Sequence, residues 1–214
     1  VESNAWALKS TIDKVLELCD SEKVNLIAHS KGGIDCRFLI SSLGYGSKIA
    51  SLTTLCTPHL GSEIVDFIFD KKYMHTRLVR KLTYNLARIY GDKSPDPHKI
   101  LEDLSTKSMC RFNERNPDVC TVYYNSYHSL MKNELDDLSL MLTFNYLKKV
   151  AGENDGVVSL KSSQWGKHFE LIHGKKSGGI SHAEIVDYKR RKISGVDIPG
   201  EYEKIVEKLA LMGF

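Results

Sequence analysis

The stretch Ala28-His29-Ser30-Lys31-Gly32 sets a hydroxyl midway between two small residues. It fits G-x-S-x-G with Ala in the first position, the pattern of a sharp strand-to-helix turn that lifts a serine above a sheet. Such a turn is strained, and a larger Cβ on either side of Ser30 is expected to collide with the neighbouring strand or helix. The unpaired amides that open the following helix, that of Lys31 first, then face a developing oxyanion. A serine hydroxyl is a weak nucleophile at neutral pH. It needs an imidazole to take its proton and a carboxylate to hold that imidazole in one tautomer. With this turn the chain order is Ser, acid, His. Asp155, in Glu153-Asn154-Asp155-Gly156-Val157-Val158, is the favoured acid because it sits in a Gly-bearing loop before an apolar run. Asp136 and Asp137, beside Leu135 and Leu138, are alternatives of a kind that usually only faces solvent. Of the histidines after Asp155, His182 is the favoured base, since Gly178, Gly179, Ile180 and Ser181 give it a flexible loop. His173 is the alternative at a strand end, and His168 belongs to the strand entrance. His29, His59, His75, His98 and His128 precede the acid and break the order.

These residues need a scaffold, and the hydrophobic pattern supplies one. Ala5, Leu8, Ile12, Val15, Leu16 and Cys19 recur at three- and four-residue steps, which predicts a helix over residues 5–20 with one buried face. Residues 24–28 read as a buried strand, the stretch with Ile34, Phe38 and Leu39 as a helix, and residues 49–56 as the next strand, stopped by Thr57 and Pro58. Such alternation implies a mostly parallel sheet flanked by helices. Residues 61–117 are helical by pattern, with a stripe of Leu78, Leu82, Leu86 and Ile89 among cationic side chains, and predict a helical cap over the strand ends. Its boundaries are about 60–117, and it is expected either to move as a lid or to stay fixed around a pocket. Strand character returns at 121–127 and 169–173, and Tyr202, Ile205, Val206, Leu209 and Met212 mark a closing helix. The whole of 1–214 reads as a single domain.

Composition narrows the classes. The chain has 214 residues, 42% hydrophobic and 27% charged, with a net charge of +3. This excludes a disordered chain and argues against nucleic acid as a partner. Eighteen consecutive apolar residues occur nowhere, so no membrane-spanning helix is expected. Five cysteines are an odd number with no C-x-x-C spacing; Cys110 and Cys120 are near enough in sequence to pair. The first residues lack the basic-then-apolar pattern of a signal peptide.

Taken together, these segments resemble the bacterial triacylglycerol lipases of the α/β-hydrolase superfamily. The resemblance is carried by residues 24–33, by Thr57-Pro58-His59-Leu60-Gly61-Ser62 leading into the lid, by Arg111-Phe112-Asn113 with Pro117 beyond it, by residues 154–158, and by Ser181-His182. It implies an α/β-hydrolase fold and ester hydrolysis through an acyl-enzyme, with Ser30 as nucleophile, His182 as general base and then acid, and Asp155 orienting it. It implies acylglycerol substrates at a lipid–water interface, with short soluble esters, acyl transfer or a non-catalytic scaffold as alternatives. One oxyanion donor would be the Lys31 amide. The other comes in the family from a glycine-containing loop after an early strand, which does not precede Val24, so an N-terminally truncated, C-terminal part of a longer enzyme is expected. The family also implies export, and no cofactor for the chemistry. It further implies a structural calcium bracing the base loop, here through Glu184 and Asp136 or Asp137, with Tyr188 where another oxygen ligand is expected. A zinc site from His59, Asp66 and His75 is a further alternative. Oligomeric state is left open.

Overall fold

The computed structural model describes residues 1–70, 102–174, 178–187 and 196–214. Helix α1 (Glu2–Leu18) leads to β1 (Val24–His29), α2 (Lys31–Ser41), a 3-10 turn (Tyr45–Lys48) and β2 (Ile49–Leu55). After α3 (Glu63–Asp70) come α4 (Thr106–Arg115), β3 (Tyr123–Ser129) and a 3-10 turn (Leu138–Leu140). Then follow α5 (Met141–Val150), the short α6 (Leu160–Ser163), β4 (His168–Ile172), a 3-10 turn (Glu184–Val186) and the closing α7 (Ile198–Leu211). The cap stripe from Leu78 to Ile89, His75, His98 and Tyr188 lie outside the described residues.

The four strands pair in the order β1-β2-β3-β4, each neighbour parallel. All their carboxyl ends therefore share one edge, where an open α/β sheet gathers a site. Successive side chains alternate between faces, so Leu52 and Leu55, three apart, serve different layers. Leu52 and Tyr124 pack with Ala5, Ile12 and Leu16 of α1 and with Leu39 and Ile40 of α2. Leu55 and Tyr127 pack on the opposite face with Ile172 and with Ile198, Ile205 and Leu209 of α7. Helix α7 starts cleanly because the Asp197 carboxylate accepts from the Gly200 amide and Pro199 sits in the first turn.

Several boundaries differ from the sequence expectation: α1 is Glu2–Leu18 rather than 5–20, β1 extends to His29 and β4 is His168–Ile172 rather than 169–173. The third strand is shifted to Tyr123–Ser129. Its carboxyl end is polar in letter, but Ser126, His128 and Ser129 are fully buried, and the Ser126 hydroxyl is satisfied by donating to the Trp165 carbonyl at 2.8 Å. The second strand stops one residue early because Cys56 takes the left-handed region, at φ 49°.

Candidate active site

Ser30 follows β1 directly and adopts φ 53°, ψ −132°, a conformation that costs on the order of 1–3 kcal/mol unless its surroundings impose it. They do so through two bonds. The Ser30 amide donates to the Leu55 carbonyl at 2.9 Å, and the Thr57 hydroxyl donates to the Ser30 carbonyl at 2.8 Å. The expected crowding beside the serine falls on a different glycine. A Cβ at Gly32 would meet only the Ala28 methyl at 3.9 Å, whereas one at Gly33 would sit 2.3 Å from the Thr57 hydroxyl. Gly33 lets the helix approach the segment after β2.

The acid and base arrive from the loops after β3 and β4. His182 Nε2 lies 3.0 Å from Ser30 Oγ, and His182 Nδ1 lies 2.7 Å from Asp155 Oδ2. An ionised carboxylate only accepts, so Nδ1 carries the proton and Nε2 is left to accept from the serine. Asp155 is fully buried. Its other oxygen accepts from the amides of Val157 and Val158 at 2.9 and 2.8 Å. Burial alone would raise its carboxyl, but the charge and hydrogen bond of His182, with His128 and the Val158 amide, outweigh it and hold the group well below the usual carboxylate range. Lys31 opens α2, so its amide has no acceptor within the helix; its ammonium is paired with Asp35 at 2.8 Å.

The loop bearing His182 is tied down by neighbours. The Ile180 amide donates to the Leu130 carbonyl, the His182 amide to the Asp155 carbonyl, and the Ser181 hydroxyl to Asp137 Oδ2 at 2.9 Å. Glu184, expected as a calcium ligand, is buried and accepts from the Ser181 amide. Asp136, the expected upstream ligand, does not join it. Its carboxylate accepts from the amides of Lys132 and Asn133 and closes its own turn, and Asp137 is the acid that reaches the base loop. Asp137 also accepts from the Ser139 amide and hydroxyl. Among the described residues Glu184, Asp136 and Asp137 do not bring their ligand oxygens together within reach of one ion, so they do not fit a calcium ion, which needs six to eight oxygens turned toward it. The zinc alternative is not assembled from its described members either: both nitrogens of His59 are engaged, by Arg37 and Thr54, and Asp66 accepts from the Thr106 amide. Among the described residues, one trio of metal-ligating types lies within reach of a single ion, Cys56, Asp155 and His182. Two of its members are already bonded to each other. All five cysteines are free thiols, Cys110 and Cys120 included.

Sequence reasoning missed a second polar centre beside the nucleophile helix. Arg37 of α2 is 2% exposed. It donates to Asn113 Oδ1 at 2.8 Å, to the Asn116 carbonyl at 3.2 Å and to His59 Nδ1 at 3.4 Å. Its guanidinium lies 3.7 Å from the centre of the Trp165 ring, a face that stabilises a desolvated cation. Burial pushes it down to about 10, still charged at neutral pH. The segment after β2 (His59) and the end of α4 (Asn113, with Asn116 at its C-cap) thus meet on one side chain. The signal was an arginine on the apolar face of a predicted helix.

A serine on the turn after the first described strand, an acid after the third and a base after the fourth, on an all-parallel sheet, make this an α/β-hydrolase fold. Solved structures share it. Mature BlEst2 lipase of Bacillus licheniformis superposes with a TM-score of 0.64 at 23% identity over 92% of this chain and 70% of that one. Staphylococcus hyicus lipase gives 0.60 at 20% identity over 87% of this chain and 69% of that one. No protein-family model matches the chain. Its relatives in sequence are triacylglycerol lipases, and they extend beyond bacteria. Triacylglycerol lipase 2 of Saccharomyces cerevisiae is 29% identical over 233 aligned residues, covering 100% of this chain and 66% of that protein. The enzyme of Burkholderia plantarii is 30% identical over 51% of this chain and 32% of its own length, and that of Pseudomonas fragi 24% identical over 98% and 82%. The chain thus spans a little under two thirds of the yeast lipase and about a third of the Burkholderia plantarii one.

Proposed function

We propose that the protein is a serine carboxylic ester hydrolase acting on acylglycerols, in a single domain with a helical cap at about 60–117, and that Ser30, His182 and Asp155 are its catalytic residues. The observation that carries this reading is the unbroken contact from Asp155 through the two nitrogens of His182 to the Ser30 hydroxyl. As Ser30 Oγ attacks the ester carbonyl carbon, His182 Nε2 takes the hydroxyl proton and Asp155 stabilises the imidazolium. Negative charge gathers on the carbonyl oxygen, where the Lys31 amide is one donor. Collapse of the tetrahedral adduct breaks the bond to the alcohol oxygen, which leaves with the proton from His182. Water then attacks the acyl-enzyme by the same steps in reverse, releasing the acid and restoring Ser30. The chemistry requires no cofactor, and since Glu184, Asp136 and Asp137 do not converge on one point among the described residues, activity is expected to survive chelation of calcium. Among the described residues no helix is long and apolar enough to cross a membrane.

Treatment of the full-length protein with a fluorophosphonate and mapping of the adduct by mass spectrometry tests the assignment. Labelling at Ser30, and loss of at least about 10⁴-fold in hydrolysis in Ser30→Ala, are expected. Labelling elsewhere, or an active Ser30→Ala protein, removes it. Rates on emulsified long-chain glycerides against short soluble esters separate a lipase from a carboxylesterase.

A further inference from the structure

Asp155 and Ser30 hold the His182 ring, but a ring is only as well placed as the main chain that carries it. Both main-chain polar groups of His182 are bonded to other parts of the site. Its amide donates to the Asp155 carbonyl at 2.9 Å. Its carbonyl lies 3.0 Å from Nε2 of His29, the residue directly before Ser30, and the two imidazole rings stand 4.6 Å apart. A carbonyl oxygen only accepts, so His29 carries its proton on Nε2 and donates it. The three stretches bearing acid, base and nucleophile are therefore joined twice, once through their reacting side chains and once through a parallel set of bonds that takes no part in proton transfer.

We propose that His29 is a positioning residue for the base: its Nε2–H, bonded to the His182 carbonyl, fixes the main chain of the base loop against the nucleophile turn. This rests on the hydrolase reading above. A neutral imidazole suits the task, because a second cation there would oppose the imidazolium that forms on His182 during the reaction. Burial and the neighbouring His182 keep it neutral, pushing its ionisation down to about 3. The rigid ring reaches from the last residue of β1, as a device for holding a catalytic group on a loop requires.

The test compares His29→Leu, which removes the donor, with His29→Gln, whose side-chain amide restores an N–H at similar reach. In the full-length protein, on a soluble ester and with active sites counted by fluorophosphonate, His29→Leu is expected to lower kcat roughly ten- to a hundredfold, the scale of a misplaced catalytic group. KM should stay within about twofold, because the bond positions the base rather than the substrate, and His29→Gln should recover most of kcat. In parallel, nitrogen-15 NMR of labelled histidines should show the His182 Nδ1–H signal sharp in wild type and His29→Gln and exchange-broadened in His29→Leu. Wild-type kcat in His29→Leu, equal losses in the two variants, or a change confined to KM overturns the proposal. A wild-type protein that hydrolyses no ester removes the hydrolase reading, and the His182 signal then still decides whether His29 holds the loop.

Discussion

The loop that presents Asp155 and the loop that presents His182 solve the same problem by opposite means. The first is braced from within. Asn154 accepts from the Gly156 amide and donates to the Gly152 carbonyl, Asp155 accepts from Val157 and Val158, and Gly156, at φ 94°, packs against Leu140 where a Cβ would clash at 2.9 Å. The second, beyond its own bonds between Ser181 and Glu184, is braced from outside, by Leu130 and Asp137 of the segment after β3, by Asp155 and by His29. The carboxylate stays still during turnover and is fixed by local bonds. In the proposed mechanism the imidazole receives and returns a proton, and its placement depends on three other stretches of the chain. Damage to the acid loop should therefore appear mainly as lost stability, and damage to the partners of the base loop mainly as lost rate.

The harshest way to probe this contrast is Asp155→Asn, which leaves the loop bonds to Val157 and Val158 but offers His182 the wrong partner. A loss on the order of 10³–10⁴-fold in kcat is expected, read by steady-state kinetics on a protein whose melting temperature shows it folded. Breaking an external brace should be milder. Ser181→Ala removes the bond to Asp137, and about a three- to tenfold fall in kcat is expected with little change in melting. Its internal counterpart, Asn154→Ala, should instead cost about 1–2 kcal/mol in denaturant unfolding. Equal stability losses in the two variants would erase the distinction.

Much of this was legible in the sequence and some was not, for physical reasons. Ser30, Asp155 and His182 stand out because a sharp turn, a glycine-bearing acid loop and a late glycine-rich loop each leave a local signature. The choice between Asp136 and Asp137 left none. Both lie in one polar run, and only the fold turns Asp137 toward Ser181 while Asp136 closes its own turn. Asp136→Asn should accordingly change kcat by no more than about twofold. His59, His128 and Arg37 look like surface residues by type, yet burial in strand ends and helix faces makes them interior, which requires long-range packing that no short window contains.

Those buried histidines also carry a dependence of stability on pH, which leaves the rate at neutral pH untouched. Among the described residues His128 has no hydrogen-bond partner on either nitrogen, and burial pushes its ionisation down to about 4, against about 6.5 in an unfolded chain. The unfolded state therefore binds more protons below pH 6.5. The contribution of His128 is present above that value and is lost as pH falls toward 4, at up to about 1.4 kcal/mol per pH unit. His59, lowered by burial and Arg37, acts in the same direction. His128→Leu should flatten the slope by about one proton and, by removing an orphaned polar ring, raise stability at neutral pH by about 1 kcal/mol. A variant with the wild-type slope would show that another group sets it.

Arg37 holds His59, before α3, and Asn113 and Asn116, at the end of α4, on one side chain, so the two ends of the stretch between them are pinned together against α2. Lengthening such a loop adds only about 0.6 kcal/mol per doubling, and none of that strain has to reach the strand ends. A change in the length of the stretch between His59 and Asn113 is therefore expected to cost the fold little, which denaturant unfolding of a loop-length series would show.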